Sequence, residues 1–528
     1  MKWKLPVLAI LSGILLSMAW LGVSGLILLI AFVPLFYLNH YFVERKEQHL
    51  PIIFWSYAFI SMLVWNVCAT WWIGYATLAG AVFAIVANSF LMSIVWLLAH
   101  YACRLKHEGF GRLFFVFAWL SFEYLHFNWD LSWPWLTLGN GLSNDVRLIQ
   151  WYEFTGVFGG SLWILLSNLL MWKLVKRYAV TFSRVTFIQL SPLLLLLIIP
   201  SFFSIVKFKV YSEPLNSLSV VVLQPNIDPY HDKFDRMSAW EQHRLLIDLA
   251  ETYNGQEVDL FVGPETALHN IWQNEIDQQG VVVQLKTFLK ENHPNAAFVI
   301  GATTYRRYYH PEEATPTSRF THDSTMLYDA FNSALFITAN QPCEIYHKSK
   351  LVSGVEKMPF KRYLKILERF VVNLGGATGS LATPNNPLVF KNNENVVGVP
   401  ICYESVFGDY SRAFIQKGAN LLTVITNDGW WHNSPGYRQH LAYSRVQAIQ
   451  FRRSVVRSAN TGISALINSK GQIVQETPWW VETTLKGEVN RNEHLTFYAR
   501  YGDYIARVAV FMFVLMLLSV LVEKLKNL

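Results

Sequence analysis

The chain has 528 residues, of which 52% are hydrophobic and only 15% charged, and a formal net charge of +7. Soluble globular chains carry about 25% charged residues, so a wholly soluble protein is excluded. The basic excess lies in short clusters between apolar runs, a pattern of membrane topology that argues against nucleic acid as a partner. Four cysteines, Cys68, Cys103, Cys343 and Cys402, show neither metal-ligand spacing nor a disulfide framework. In an oxidising compartment Cys343 and Cys402 form the one pair available to the polar half of the chain.

A membrane-spanning helix needs about 20 apolar residues. Residues 5–37 are apolar for longer than one span and break at Trp20–Gly25, which predicts two helices joined by a tight turn. Further spans are expected at 51–74, 79–101, 113–128, 150–172 and 187–205, and a last one at 503–522, eight in all. If the spans alternate, Lys2 and Lys4, Arg45 and Lys46, Arg104 and Lys106, Lys173, Lys176 and Arg177, and Lys524 and Lys526 all fall on one side. The positive-inside rule makes that side cytoplasmic. Both termini are then cytoplasmic, and the loops 73–79 and 129–149 and the large polar domain face outward. The basic start resembles a signal peptide, but a second apolar run follows at once without an A-x-A site, so the first helix is read as retained. On the outer side, Trp129, Trp133 and Trp135 suit a headgroup-layer aromatic belt or a lipid contact. Glu123 lies near the outer end of the fifth span, where an acidic side chain is costly and takes either a pairing or a substrate role. The chain thus divides into a membrane domain (1–205), a polar domain (206–500) and a closing span with a short tail (501–528).

In the polar domain, strand-like runs occur at Leu218–Leu223, Leu260–Gly263, Ala297–Ala302, Ser333–Thr338, Val396–Ile401, Leu421–Thr426 and Ile463–Ile467. Several are continuously apolar, as in strands covered on both faces. Helical patterns at 236–253, 276–291, 405–417 and 436–452 separate some of them, and Gly471 marks a hairpin turn. This alternation predicts an α/β domain with mixed sheets.

Three polar residues stand at or near predicted strand ends, where catalytic groups of α/β sheets collect. Glu265 ends Asp259-Leu-Phe-Val-Gly-Pro-Glu265. Partial desolvation there raises a carboxylate toward a useful base, though a capping or surface role fits too. Lys348, in Tyr346-His-Lys348-Ser-Lys350-Leu-Val352, offers an ammonium that can hold an oxyanion and lower a thiol pKa, with Lys350 as its rival. Cys402, in Val399-Pro-Ile-Cys402-Tyr403-Glu404, follows a buried strand and precedes a helix; on such an elbow it is a nucleophile, otherwise a buried hydrophobe.

Pro264-Glu265, the Lys348 segment and Cys402-Tyr403-Glu404 together resemble the nitrilase superfamily. Thr426-Asn-Asp428-Gly-Trp430-Trp and Arg457-Ser-Ala-Asn460-Thr-Gly-Ile-Ser464 extend the resemblance over nearly all of 217–490. It implies a four-layer α-β-β-α sandwich with a Glu-Lys-Cys triad: Glu265, Lys348 and Cys402. Seven spans, this domain and a closing span resemble the apolipoprotein N-acyltransferase family over the whole chain. The matches are Gln224-Pro-Asn226-Ile, Lys348-x-x-Leu-Val, Glu356, Cys402-Tyr403-Glu404, Asn427-Asp428-x-Trp430 and Gln439-His440. Three features depart from the family pattern. Ser353-Gly354-Val355 replaces Pro-Phe-Gly before Glu356, Phe234 stands where a tryptophan is usual, and His126 stands where an arginine usually partners the fifth-span glutamate.

The resemblance implies an inner-membrane bacterial enzyme, a monomer, whose catalytic domain is extracytoplasmic. Its acyl donor would be a phospholipid, typically phosphatidylethanolamine, and its acceptor the α-amine of a diacylglyceryl-cysteine lipoprotein. The route is ping-pong through a Cys402 thioester, with Glu265 as base and with Lys348 and a backbone amide holding the oxyanion. Glu356 and Glu404 orient Lys348 and shape the pocket or form a structural ion pair; Tyr403, Trp430 and Phe234 line the substrate site or pack in the core. No metal or organic cofactor is required, since the ester donor is already activated. A membrane-tethered amidase acting on a small amide shares the triad, and a non-catalytic scaffold would not need it.

Overall fold

In lipid, an apolar run satisfies its backbone hydrogen bonds only as a helix, and the first 211 residues are mostly helical. The computed structural model describes residues 3–180, 187–321, 325–357, 380–384 and 387–526, apart from the side chains of 179, 180, 234 and 235. The chain forms two compact units: Met1–Tyr211 with Tyr501–Leu528, and Ser212–Arg500.

Among the described residues of the first unit, seven helices are long and apolar enough to cross a membrane. They are Lys4–Leu21, Gly25–Glu44, Pro51–Thr70, Leu78–Leu105, Tyr152–Tyr178, Phe187–Val210 and Tyr504–Lys526. The first apolar run breaks at Gly22, whose φ of +89° is open to glycine and costly for other residues. The remaining expected span, 113–128, is the 21-residue helix Glu108–Asn128. It is long enough, but it carries Glu108, Arg112 and Glu123 and does not count among the seven. Seven of the eight expected spans therefore meet both the length and the composition for crossing a membrane, and the eighth falls on this more polar helix.

Glu123 has a pairing role. Its Oε1 accepts the Trp119 indole N–H at 3.0 Å and the Leu138 amide at 2.8 Å, fastening the segment that follows the helix. His126 accepts the Trp129 indole N–H at 3.3 Å. Trp135 is buried between Trp72 and Trp133 and so belongs to the packed interior, not to an aromatic belt. The closing helix is tied to this unit by Lys106 Nζ, 2.6 Å from Glu523 Oε2.

Among its described residues, the second unit contains two sheets. Its strands are β1 (Ser217–Gln224), β2 (Leu260–Val262), β3 (Leu268–Trp272), β4 (Ala297–Tyr308), β5 (Arg319–Phe320), β6 (Leu327–Thr338), β7 (Glu344–His347), β8 (Val389–Asn392), β9 (Asn395–Gly398), β10 (Leu421–Thr426), β11 (Val455–Ala459), β12 (Ala465–Ile467), β13 (Ile473–Glu476) and β14 (Thr483–Asn490). One sheet runs β14-β1-β2-β4-β6-β5, with β3 on β4 and β7 on β6; the other runs β13-β12-β11-β10-β9-β8. The central pairs β1/β2, β2/β4, β9/β10 and β10/β11 are parallel.

Alternation along each strand sorts the side chains into layers. Val220, Val222, Leu260, Val262, Val299 and Phe336 meet Val397, Leu421, Ile425 and Leu466 between the sheets. Val221, Phe261, Phe298 and Ile300 face the other way, onto Leu246 and Ile247 of the helix Ala239–Glu251 and onto Val282 and Leu285 of Gly280–Asn292. The helices Gly408–Gln416 and Pro435–Phe451 contribute Phe414, Leu441, Ala448 and Phe451 to the core of the second sheet. The result is a four-layer α-β-β-α sandwich. All four cysteines are free. Cys343 packs in the core on the helix side of the first sheet and Cys402 against a separate core that includes the second sheet, so the available disulfide does not form.

Candidate active site

Glu265 lies three residues past β2. Its turn crosses β4 so closely that a Cβ on Gly301 would stand 2.5 Å from the Glu265 Cα, so only glycine fits there. The Gly301 amide donates to Pro264 O at 3.0 Å and the Ala267 amide to Gly301 O at 2.9 Å, which fixes the turn. Lys348 directly follows β7, and its amide donates to Asn332 O on β6 at 2.8 Å. Cys402 opens the short helical turn Cys402–Val406 and has φ +49°, a strained conformation for a residue with a Cβ and the geometry of a nucleophile elbow.

These three elements converge. Lys348 Nζ, 1% exposed, donates to Glu265 Oε1 at 2.9 Å and to Glu356 Oε1 at 2.8 Å. Asn332 Nδ2 donates to the same two oxygens, at 2.8 and 3.0 Å. The Asn427 amide reaches Glu265 Oε2 at 3.2 Å, and the Val352 amide reaches Glu356 Oε2 at 2.8 Å. Both Glu265 and Lys348 act electrostatically on the Cys402 thiol.

Burial opposes charge on all three groups, and their partners decide the outcome. For Glu265, burial pushes the carboxyl up, but the Lys348 ammonium and Asn332 outweigh it and hold it below the ordinary value. For Lys348, burial pulls down, and the Glu265 and Glu356 carboxylates carry it well above the usual ammonium value. For Cys402, burial and the Glu265 charge push the thiol up, and Lys348 offsets only part of this. The resting state is therefore carboxylate, ammonium and neutral thiol.

Glu404, fully buried, joins the cysteine elbow to the lysine loop. Its carboxylate accepts the amides of Ile401 at 2.9 Å, Ser349 at 2.6 Å and Lys350 at 3.2 Å, and the Tyr346 hydroxyl at 2.8 Å. Burial raises its pKa to about 7 even so. Lys350, the rival to Lys348, lies over the rings of Phe407 and Tyr410 instead of beside Glu265. Tyr403 is buried against Phe407. Trp430 is half-buried, with its ring on Tyr230 and its carbonyl accepting the Tyr230 hydroxyl at 2.7 Å. Phe234 lies in the turn Asp232–Arg236, and its side chain is outside the described residues.

A second buried array holds the elbow from beneath. A carbonyl oxygen can only accept, so His440 Nε2, 3.1 Å from Cys402 O, carries a proton and donates there alongside the Ser405 hydroxyl at 2.7 Å. His440 Nδ1 faces Asp428 Oδ1 at 2.9 Å, and Arg457 pairs with Asp428 Oδ2. Burial pushes Asp428 up, but Arg457 and His440 bring it down to about 2. Asp428, His440 and Arg457 lie within the sequence motifs, which by themselves give these residues no role. Asn332 was missed altogether, and its signal was a polar residue inside the apolar run Ala330–Ile337.

A strained cysteine elbow beside a buried Glu-Lys pair, on a four-layer sandwich, defines the class: residues 219–494 match the carbon-nitrogen hydrolase family. Residues 12–170 match the apolipoprotein N-acyltransferase N-terminal domain. The chain is 30% identical over 95% of its length to the apolipoprotein N-acyltransferase of Chlorobaculum tepidum, covering 94% of that protein. It is 27% identical over 95% of its length to the enzyme of that name from Geobacter metallireducens, covering 92% of it. For the one from Thermotoga maritima the identity is 26%, with coverage of 98% and 94%. The chain belongs to the apolipoprotein N-acyltransferase family.

Proposed function

We propose that this chain transfers an acyl group from a phospholipid, phosphatidylethanolamine among them, to the α-amine of a diacylglyceryl-cysteine lipoprotein, through a thioester on Cys402. The carrying observation is the buried Glu265–Lys348 pair acting on the Cys402 thiol at a strained elbow.

Glu265 takes the thiol proton as sulfur attacks the ester carbonyl carbon. Lys348 and a backbone amide hold the tetrahedral oxyanion, where a fixed cation in a water-poor site is most effective. Collapse breaks the C–O bond; the lysophospholipid alkoxide takes the proton from Glu265 and leaves a thioester. The lipoprotein amine then attacks the thioester, gives its proton to Glu265 and forms the amide. The departing thiolate recovers that proton. Glu356 and Asn332 hold Lys348 and Glu265 in register throughout, and Glu404 keeps the two loops together. All bonds are exchanged between ester, thioester and amide, so the cycle needs no metal or organic cofactor.

The membrane helices support a lipid donor. Each CH₂ withdrawn from the bilayer costs about 0.8 kcal/mol, so an enzyme acting on two lipid-anchored substrates is best held in the membrane. The basic-loop bias supports a catalytic unit on the extracytoplasmic face with both termini in the cytoplasm. We assign the domains as membrane (1–205), catalytic (206–500) and closing helix with tail (501–528), working as a monomer.

The test uses the full-length protein in vesicles of phosphatidylethanolamine labelled in the acyl chain, with a diacylglyceryl lipopeptide. Label on the peptide amine is expected. Label appearing only as free fatty acid would mean that water, not the lipoprotein amine, resolves the thioester, and ammonia released from small amides would point to an amidase instead.

A further inference from the structure

A second lysine lies against the turn that presents Glu265. Lys233, in the turn Asp232–Arg236, is 5% exposed. A buried ammonium is costly unless it is paired and hydrogen-bonded. Its Nζ donates to Thr266 Oγ1 at 2.6 Å, and the carboxylate acting on it is that of Glu265. Thr266, the next residue after Glu265, has φ +48°, which a β-branched side chain adopts only under constraint. Gly301 fixes this turn from one side, and Lys233 engages it through the Thr266 hydroxyl.

The segment that carries Lys233 is itself seated on the site. Ile227 and Asn460 exchange two hydrogen bonds, at 3.0 and 2.7 Å. The Tyr230 hydroxyl donates to Trp430 O at 2.7 Å. Gln242 Nε2 donates to the carbonyls of Lys233 and Met237 at 2.7 and 3.0 Å.

We propose that Lys233 is a positioning residue for Glu265: its ammonium holds the strained Thr266 turn and places a second cation beside the carboxylate that receives the Cys402 proton. This rests on the reading of Glu265 as the base. Among the described residues, the titratable groups that act with Lys233 include Glu265, past β2, and His269 on β3, with His243 of the helix Ala239–Glu251 acting on His269. Burial lowers His269 to about 3 and His243 to about 4, so both are neutral at working pH. Of these groups, Lys233 and Glu265 carry the charge. Burial brings Lys233 down to about 8 against the pull of Glu265.

The test follows thioester formation on Cys402 against pH in the full-length enzyme, in micelles containing phosphatidylethanolamine. Lys233→Met is expected to slow acylation about tenfold. It should also move the acid limb of the profile up by about one pH unit, because Glu265 loses a stabilising cation, while KM stays unchanged. Lys233→Arg keeps the charge and restores the limb. Thr266→Ala slows the step without moving the limb. A wild-type rate and profile in Lys233→Met overturns the proposal; if that variant does not fold, an unchanged rate in Thr266→Ala overturns it. Glu265→Gln separates the two readings. If it forms the thioester at the wild-type rate, the base assignment falls; if it is inactive while Lys233→Met is unaffected, only the role of Lys233 falls.

Discussion

The amide of Ser349, the residue after Lys348, donates to Glu404 Oε1 at 2.6 Å. Through this bond and the Ile401 amide at 2.9 Å, one buried carboxylate joins the loop bearing the ammonium to the elbow bearing the thiol. Glu404→Gln keeps the volume but puts N–H groups where amides donate. Thioester formation should fall at least about tenfold with little change in phospholipid KM, as expected when two loops lose register. Single-turnover acylation checks this; a proportional rise in KM at unchanged kcat would contradict it.

Asn332 donates to both Glu265 and Glu356 from one nitrogen. Asn332→Ala removes both donors. Asn332→Asp sets a third carboxylate against the first two, and like charges raise a carboxyl pKa. The acid limb of the acylation profile should therefore move to higher pH, and further in Asn332→Asp than in Asn332→Ala. An unshifted limb in Asn332→Asp would show that the profile does not report Glu265.

Because burial raises the Cys402 thiol, the thiolate is scarce at neutral pH. Alkylation by iodoacetamide in a background lacking the other three cysteines should be slow at pH 7 and keep rising through pH 9 without a plateau. A plateau near pH 6 would indicate a preformed thiolate.

Asp428 is lowered from 3.8 to about 2 by Arg457 and His440. A lowered carboxyl adds stability that is present above its unfolded pKa and lost as pH falls from about 4 to about 2. Removing one member of a buried pair costs about 3–5 kcal/mol. Asp428→Asn should therefore unfold at a markedly lower temperature at pH 7, with the deficit narrowing toward pH 2. Thermal scans in detergent at both ends of that range decide it.

The parts of the fold legible in the sequence were the membrane helices and β1, β2, β4, β6, β9, β10 and β12, whose apolar runs stand out; β11 was not, because Arg457 and Ser458 interrupt its apolar signal. β14 was not legible, because of its eight residues only Val489 is buried and pairing with β1 supplies the rest of its stability. β3, β5, β7, β8 and β13 escaped for the same reason, being short or partly exposed. The residues at strand ends were visible because a charge after an apolar strand is rare. Their partners were not, since Asn332, Lys233 and His440 reach the site only once β6, the 226–237 segment and the helix Pro435–Phe451 are folded around it. Choosing between Lys348 and Lys350 likewise needed the fold: only two residues apart, they differ in whether the ammonium meets Glu265 or the Phe407 ring.

The most direct test is the intact mass of the purified full-length protein after incubation with phosphatidylethanolamine of defined chains, then with a diacylglyceryl lipopeptide. The predicted result is one added acyl chain, absent in Cys402→Ala and discharged to the peptide amine on its addition. An acyl adduct persisting in Cys402→Ala, or peptide acylation by that variant, would contradict the account.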